Sequence, residues 1–188
     1  PPNLPVTQMA VGDWVLFDGP RVARILPRAT LLQRRAAGSG TEAQLIAANV
    51  DTMFITTSCN ADFNAARIER YLVLAHSAGI TPVVLLTKAD MAEAAPYITA
   101  ASALSADLTV IAMNAKSPDV ADLLAPWVQR GQTAVLLGSS GVGKSTIANS
   151  LGANQAVGGI REDDAKGRHT TTARNLLPLT AGGWLIDT

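Results

Sequence analysis

The chain has 188 residues, a length that suits one domain or one domain with a small appendage. Hydrophobic residues make up 48% of it and aromatic residues only 4%, a balance that favours a buried parallel sheet flanked by helices over an aromatic-rich sandwich. Lys plus Arg and Asp plus Glu number 15 each, so the net charge gives no sign of a nucleic-acid partner. A local cluster of basic residues would still be able to bind nucleic acid.

The chain contains a single cysteine, Cys59, which excludes an internal disulfide. Only His76 and His169 stand beside it, so a four-ligand zinc site within this chain is not expected. No apolar run reaches the roughly 18 residues of a membrane span, and no charged-then-apolar signal opens the chain. We therefore expect a soluble, cytoplasmic protein that does not contact a membrane.

Residues 1–28 have the character of a small β-module. Residues 9–17 alternate as a strand does, a turn signal follows, and residues 22–26 are predicted as the returning strand. Two strands are not stable by themselves in water, so this segment is interpreted as the C-terminal part of a larger module. Residues 29–43 are predicted to form a flexible connector, whose basic side chains are either solvated or in contact with nucleic acid.

From residue 44 onward, strand-like and helix-like segments alternate. The first helical segment carries one apolar stripe, formed by Ile68, Leu72 and Ala75, and Gly79 is its stop signal. The predicted strands cover residues 50–57, 83–87, 108–113, 133–137 and 184–187, and the predicted helices cover residues 62–78, 91–104, 118–129 and 144–151. Pro126 is expected to end or kink the third of these helices. This alternation predicts an α/β fold over residues 44–188, with a mainly parallel sheet and helices on both faces.

Residues 138–145 match the phosphate-binding pattern G-x-x-x-x-G-K-[ST] at every fixed position. The segment follows an apolar strand and precedes a helix, which is the context that the motif requires. Its glycines let backbone N–H groups point at the phosphates, while Lys144 would bridge the β- and γ-phosphates and the Ser145 hydroxyl would ligate magnesium. The sequence therefore predicts a P-loop NTPase-type fold, the alternative being a glycine-rich turn that matches by chance.

Two further segments, residues 87–90 (T-K-A-D) and 114–116 (N-A-K), follow consecutive predicted strands at the edge where ligands bind in such sheets. The Asp90 carboxylate would accept hydrogen bonds from N1–H and the 2-amino group of guanine, whereas adenine would present an acceptor to it. The stem of Lys88 would lie over the base, and the Ala115 N–H would reach the guanine 6-oxo group. Each segment alone is also consistent with a helix cap or a turn, but beside a P-loop they support each other. The predicted nucleotide-binding residues are Thr87, Lys88, Asp90, Asn114, Ala115, Lys116, Ser139, Ser140, Gly141, Val142, Gly143, Lys144, Ser145 and Thr146.

The order of these motifs, followed by K-G-R-H-T-T-T at residues 166–172 and L-I-D-T at residues 185–188, resembles a known family. It is similar to the circularly permuted ribosome biogenesis GTPase A family, the small-ribosomal-subunit-dependent GTPases, whereas ordinary Ras-like GTPases carry the phosphate loop first. The resemblance implies an OB-type β-barrel, of which residues 1–28 would be the remnant, then the permuted GTPase domain, then a C-terminal zinc module absent from this chain. Because the family pattern continues into Pro-Gly after Thr188, we expect a fragment truncated at its C-terminal end.

The resemblance also assigns catalytic roles. Residues 166–172 correspond to the first switch, and His169 would act beside Lys144 in place of the usual water-orienting glutamine, since an imidazole can accept a hydrogen bond from the attacking water. The alternative for His169 is an exposed loop histidine that contacts phosphate or ribosomal RNA. Arg168 is as well suited to RNA as to the nucleotide.

A magnesium ion bound with GTP or GDP is the implied cofactor. Its predicted ligands are Ser145, one threonine of the switch and Asp187, which would act through water. We take Thr171 as the switch ligand, although nothing in the sequence separates it from Thr170 and Thr172. The alternative for Asp187 is a strand-terminal acid in a turn.

The resemblance implies a monomeric factor that binds and hydrolyses GTP in late maturation of the small ribosomal subunit, with hydrolysis stimulated by the subunit. Its partners would be ribosomal RNA and ribosomal proteins, with GTP ordering the switch and hydrolysis releasing the complex. Two alternatives stay open: a P-loop kinase or ATPase of another family, and a nucleotide-gated RNA-binding scaffold with negligible turnover.

Overall fold

A computed structural model describes residues 6–35, 43–153 and 174–188 of the chain. A short 3-10 helix at Val6–Gln8 precedes an antiparallel hairpin of strands β1 (Val15–Asp18) and β2 (Arg21–Ile25). The hairpin confirms the predicted pair of strands, but the expectation that the first begins at residue 9 is wrong. Residues 10–13 form a turn instead, because Asp13 accepts a hydrogen bond from the Ala10 N–H at 2.8 Å and donates its own N–H to the Ala10 carbonyl at 3.1 Å.

The prediction that residues 29–43 form a flexible connector is wrong for the first half of that range. Strand β3 (Leu31–Arg35) pairs antiparallel with strand β4 (Ala43–Ala48) in a second small sheet. The pairing is favoured because Leu32 and Ala47 are fully buried in the core, while Arg34 remains exposed and donates a hydrogen bond to Gln44 at 2.9 Å. The glycine-rich residues 36–42 lie outside the described part, and the domain boundaries at residues 28 and 43 stay predictions.

The main sheet has six strands: β5 (Thr52–Ser58), β6 (Thr81–Thr87), β7 (Thr109–Ala112), β8 (Thr133–Gly138), β9 (Asn175–Pro178) and β10 (Trp184–Asp187). Their order across the sheet is β7-β6-β5-β8-β10-β9, and every neighbouring pair is parallel except β10 with β9. The predicted mainly parallel sheet is therefore confirmed, whereas the edge strand β9 is not predicted from the sequence. The carboxyl ends of the parallel strands share one edge, where the candidate site lies.

Among the described residues, four α-helices cover the sheet: α1 (Ala65–Ala78), α2 (Ala95–Ser102), α3 (Val120–Leu124) and α4 (Lys144–Ser150). Helix α2 is shorter than predicted, because Pro96 lies in its first turn. The prediction that Pro126 ends or kinks the third helix is confirmed, since α3 ends at Leu124 and Pro126 lies in the 3-10 turn Ala125–Trp127 that follows. Alternate residues of β5 face opposite layers, with Ile55 packed in the cluster that includes α1 and Phe54 in the cluster that includes α3 and α4. Helices on both faces of the sheet are thus confirmed.

A short link joins the small β3–β4 sheet to the main sheet. Asn49 has a left-handed backbone (φ +55°); its side chain donates to the Gly12 carbonyl and accepts from the Ala29 N–H, both at 2.9 Å. Two residues later, the Asp51 carboxylate accepts a hydrogen bond at 2.8 Å from the N–H of Thr133, the first residue of β8. The link therefore attaches the N-terminal strands to the strand that leads into the phosphate loop. Within the three described ranges, no helix has the length and apolar character needed to cross a membrane.

Candidate nucleotide-binding site

The loop between β8 and α4 has the tight geometry that its glycines predict. A β-carbon at Gly138 would lie 2.2 Å from the Thr56 carbonyl oxygen of the neighbouring strand, so no side chain fits there. Gly143, the residue before α4, has φ +102°, a backbone conformation that glycine adopts far more readily than other residues. These two positions let the loop turn sharply over the end of the sheet.

Lys144 folds back over this loop. Its ammonium nitrogen donates hydrogen bonds to the carbonyl oxygens of Gly138 at 2.8 Å and Ser139 at 2.9 Å. Partial burial lowers the pKa of the Lys144 ammonium below its ordinary value, while the negative charges of Asp187 and Asp62 act in the opposite direction. The cation is thus held at the edge of the loop, where an anionic ligand would meet it.

The segment after β6 is bound to the phosphate loop through the Thr87 side chain. Thr87 is fully buried, and its hydroxyl lies 2.6 Å from the Val142 carbonyl oxygen and 3.1 Å from the Thr57 carbonyl oxygen. Lys88 follows with φ +58°, which turns the chain abruptly, and Asp90 is exposed. The structure therefore brings the T-K-A-D segment directly against the phosphate loop.

The N-A-K segment after β7 lies on the same side. The Asn114 side-chain oxygen accepts a hydrogen bond from the Lys116 N–H at 2.9 Å, and the side chain of Ala115 is buried. A β-carbon placed on Gly143 would lie 3.6 Å from that of Ala115 and 3.9 Å from that of Thr87. The three predicted motifs thus meet around Gly143.

The predicted metal ligands lie at the same edge of the sheet, where β8 and β10 end. Asp187 ends β10 and pairs in register with Leu136 of β8, while Ser145 is the second residue of α4; both are half-buried. A carboxylate and a hydroxyl supply the hard oxygen donors that magnesium prefers, so these two residues fit that ion. Thr188 closes this end by donating its hydroxyl to the Leu136 carbonyl at 3.0 Å.

Asp62, which the motifs do not point to, also belongs to this region. It lies in the loop after β5, forms an ion pair with Arg67 at 2.8 Å, and has an oxygen 3.3 Å from the Thr57 hydroxyl. Its charge acts on Lys144, although the sequence pattern predicts residue 62 only as the start of a helix. The available signal was its place in the loop that follows a buried strand, at the edge of the sheet where ligands bind.

The predicted switch residues cannot be compared with the structure. Arg168, His169, Thr170, Thr171 and Thr172 lie outside the described residues. Their roles therefore stay predictions.

The fold and the site define a P-loop α/β domain in which the base-reading segments precede the phosphate loop along the chain. The structure of YjeQ from Thermotoga maritima resembles it with a TM-score of 0.67, at 22% identity, over 96% of this chain and 60% of that one. YloQ, described as a circularly permuted GTPase, gives a TM-score of 0.62 at 26% identity, over 95% of this chain and 56% of that one. The domain has the circularly permuted GTPase fold.

A family model described as RsgA GTPase matches residues 25–188. The small ribosomal subunit biogenesis GTPase RsgA of Mesorhizobium japonicum is 55% identical over 195 residues, which cover 100% of this chain and 56% of that protein. The protein of the same name from Xanthomonas euvesicatoria pv. vesicatoria is 51% identical, over 95% of this chain and 50% of that protein. The chain belongs to the RsgA GTPase family, and it spans about half the length of the curated relatives it matches.

Proposed function

We propose that this chain binds GTP and GDP and that the protein it belongs to hydrolyses GTP during late maturation of the small ribosomal subunit. The meeting of the three motifs around Gly143 carries the nucleotide part of this proposal, because it places a phosphate-binding loop beside two segments suited to a base. The ribosomal part is supported by the names of the relatives, which are small ribosomal subunit biogenesis GTPases.

In this proposal the phosphate loop holds the β- and γ-phosphates. The N–H groups of residues 139–143 and of Ser145 and Thr146 face the phosphate oxygens, as in other P-loops. Lys144 is already held at the loop by the carbonyls of Gly138 and Ser139, so it needs only a small movement to donate to a phosphate.

Base selection is assigned to Asp90 and Ala115. The exposed Asp90 carboxylate accepts from N1–H and the 2-amino group of guanine, and the Ala115 N–H donates to the 6-oxo group. Adenine would face Asp90 with the N1 acceptor and leave polar groups unpaired, at a cost of about 1–3 kcal/mol each. Asp90 lines a cleft of about 270 Å³ together with Asn114, the residue before Ala115, so the two segments lie close together.

Magnesium would be held by Ser145 and, through water, by Asp187, with Thr171 as the third protein ligand. When bound, the ion would neutralise the negative charge that develops on the phosphate oxygens while the γ-phosphoryl group is transferred to water. Asp187 also places its negative charge near Lys144, so it would partly offset the positive charges of Lys144 and of a bound magnesium ion.

Hydrolysis is assigned to the switch. Coupling to the ribosome is assigned to the N-terminal strands. His169 would orient the attacking water, while ribosomal RNA and proteins would bind through the N-terminal module and the basic residues that follow it. The negligible-turnover scaffold is the competing function, and the two differ in one measurement: GTP hydrolysis by the whole protein with and without small subunits. Stimulation by the subunit supports the GTPase, and no stimulation supports the scaffold.

The nucleotide part is tested by titrating the chain with GTP, GDP and ATP under the same magnesium concentration. We expect GTP and GDP to bind at least about a hundredfold more tightly than ATP, since two or more polar groups would be left unpaired by adenine. Asp107→Asn, which changes an exposed carboxylate away from the site, is the control for a general loss of charge. Equal affinity for GTP and ATP would favour the kinase or ATPase alternative.

A further inference from the structure

Ser150, the last residue of α4, reaches from the phosphate-loop helix to the base-reading loop. Its half-buried hydroxyl lies 3.1 Å from the Ala115 carbonyl oxygen and 3.1 Å from the Thr146 carbonyl oxygen one turn back in the helix. The bond to Ala115 joins two residues that are 35 positions apart in the chain.

This bond completes the restraint of one peptide group. The carbonyl between Ala115 and Lys116 accepts from Ser150, and the N–H of the same peptide group donates to the Asn114 side chain at 2.9 Å. The Ala115 side chain is also buried against Gly143. With its carbonyl and its β-carbon both held, Ala115 has little freedom to rotate, which also narrows the directions open to its own N–H.

A serine in a helix does not need such a partner. Ser77 in α1 shows the local alternative, because its hydroxyl donates to the Val73 carbonyl four residues back at 2.7 Å. Ser150 has one hydroxyl hydrogen to share between a carbonyl in its own helix and one in another segment. The tertiary bond is therefore an addition to what helix α4 itself requires.

We propose that Ser150 is a positioning residue for guanine recognition: by holding the Ala115 carbonyl, it directs the Ala115 N–H at the 6-oxo group of the base. The inference rests on the proposed binding of guanine nucleotides. It also connects the two halves of the site, because the helix that follows the phosphate loop orients the group that reads the base.

The test compares Ser150→Ala with the intact chain in titrations with three diphosphates. GDP carries both recognised edges, IDP lacks the 2-amino group that Asp90 reads, and 6-thio-GDP keeps that edge but replaces the 6-oxo group with a weaker acceptor. We expect Ser150→Ala to raise the Kd for GDP and for IDP about five- to tenfold, as for one lost hydrogen bond. The Kd for 6-thio-GDP should rise by no more than about twofold, because that contact is already weak.

Two further variants separate positioning from a general effect on folding. Ser77→Ala removes a helical hydroxyl with only a local role and should leave all three Kd values unchanged, while Ser150→Thr keeps the hydroxyl and should restore GDP binding. An unchanged GDP Kd in Ser150→Ala would overturn the inference, and so would an equal loss for all three nucleotides. If the intact chain itself showed no preference for GDP over ADP, the proposed function would fail instead.

Discussion

Replacing Thr87 with valine tests the connection between the base-reading strand and the phosphate loop. Valine has nearly the same shape at this fully buried position, but it replaces the hydroxyl with a methyl group, which needs more room than the hydroxyl's 2.6 Å separation from the Val142 carbonyl oxygen. The hydroxyl lies 2.6 Å from the Val142 carbonyl and 3.1 Å from the Thr57 carbonyl, and the one hydrogen that these two acceptors share would be lost. The change therefore breaks the polar contact and pushes the phosphate loop away from the strand.

The size of the effect follows from burial. A net hydrogen bond contributes about 0.5–1.5 kcal/mol, and a buried acceptor left without its donor costs about 1–3 kcal/mol. We therefore expect Thr87→Val to lower the free energy of unfolding by about 1–3 kcal/mol. Because Val142 belongs to the phosphate loop, the Kd for GDP should also rise, by about five- to thirtyfold if most of that energy restrains the loop.

Urea denaturation and GDP titration measure the two quantities on the same samples. Thr81→Val, at the exposed first residue of the same strand, is the matched control and should change neither. If Thr87→Val bound GDP with the affinity of the intact chain while losing stability, the hydroxyl would stabilise the sheet without positioning the loop. If neither quantity changed, the reasoning from the buried contact would be refuted.

Four other substitutions probe separate parts of the structure. Gly138→Ala should abolish nucleotide binding or unfold the chain, because its β-carbon would lie 2.2 Å from a backbone carbonyl oxygen; titration with GDP and circular dichroism distinguish the two results, and normal binding would contradict the geometry. Asp90→Asn should weaken GDP binding at least about tenfold and improve binding of XDP, whose 2-oxo group can accept from an amide; loss of both would argue against a direct role in base selection. His169→Ala should leave the Kd for GTP within about threefold and lower the single-turnover rate of hydrolysis at least about tenfold, and an unchanged rate would remove His169 from catalysis. For Asp13, burial acts to raise the pKa of the carboxyl, but hydrogen bonds from Arg28 and the Ala10 N–H outweigh it and hold that pKa below its ordinary value. The paired carboxylate thus stabilises the fold at neutral pH, and this contribution should disappear as the pH falls through the lowered pKa; Asp13→Asn should reduce stability at pH 7, and its difference from the intact chain should shrink as the pH falls below about 3.8, as urea titrations at a series of pH values would show.

The phosphate loop shows what the sequence determined by itself. Its pattern is local, because each glycine and Lys144 acts on backbone groups a few residues away, and the structure has the lysine bonded to the Gly138 and Ser139 carbonyls. The alternation of strands and helices also predicted the parallel sheet, and a parallel sheet places the ends of β6, β7 and β8 at one edge. Asp90 and Ala115 could therefore be assigned to one site without coordinates.

Other features depended on neighbours distant in the chain, and only the tertiary structure decided them. Strand β3 contains basic side chains that suit a solvated connector. Leu32 of the same strand is nevertheless fully buried, because β3 pairs with β4. Asp62 acts on Lys144, 82 positions away, through its charge, and Ser150 bonds to Ala115, 35 positions away; a single side chain carries no periodic signal for such interactions. Local chemistry was readable from the sequence, whereas the side chains that orient it became identifiable only once the packing was known.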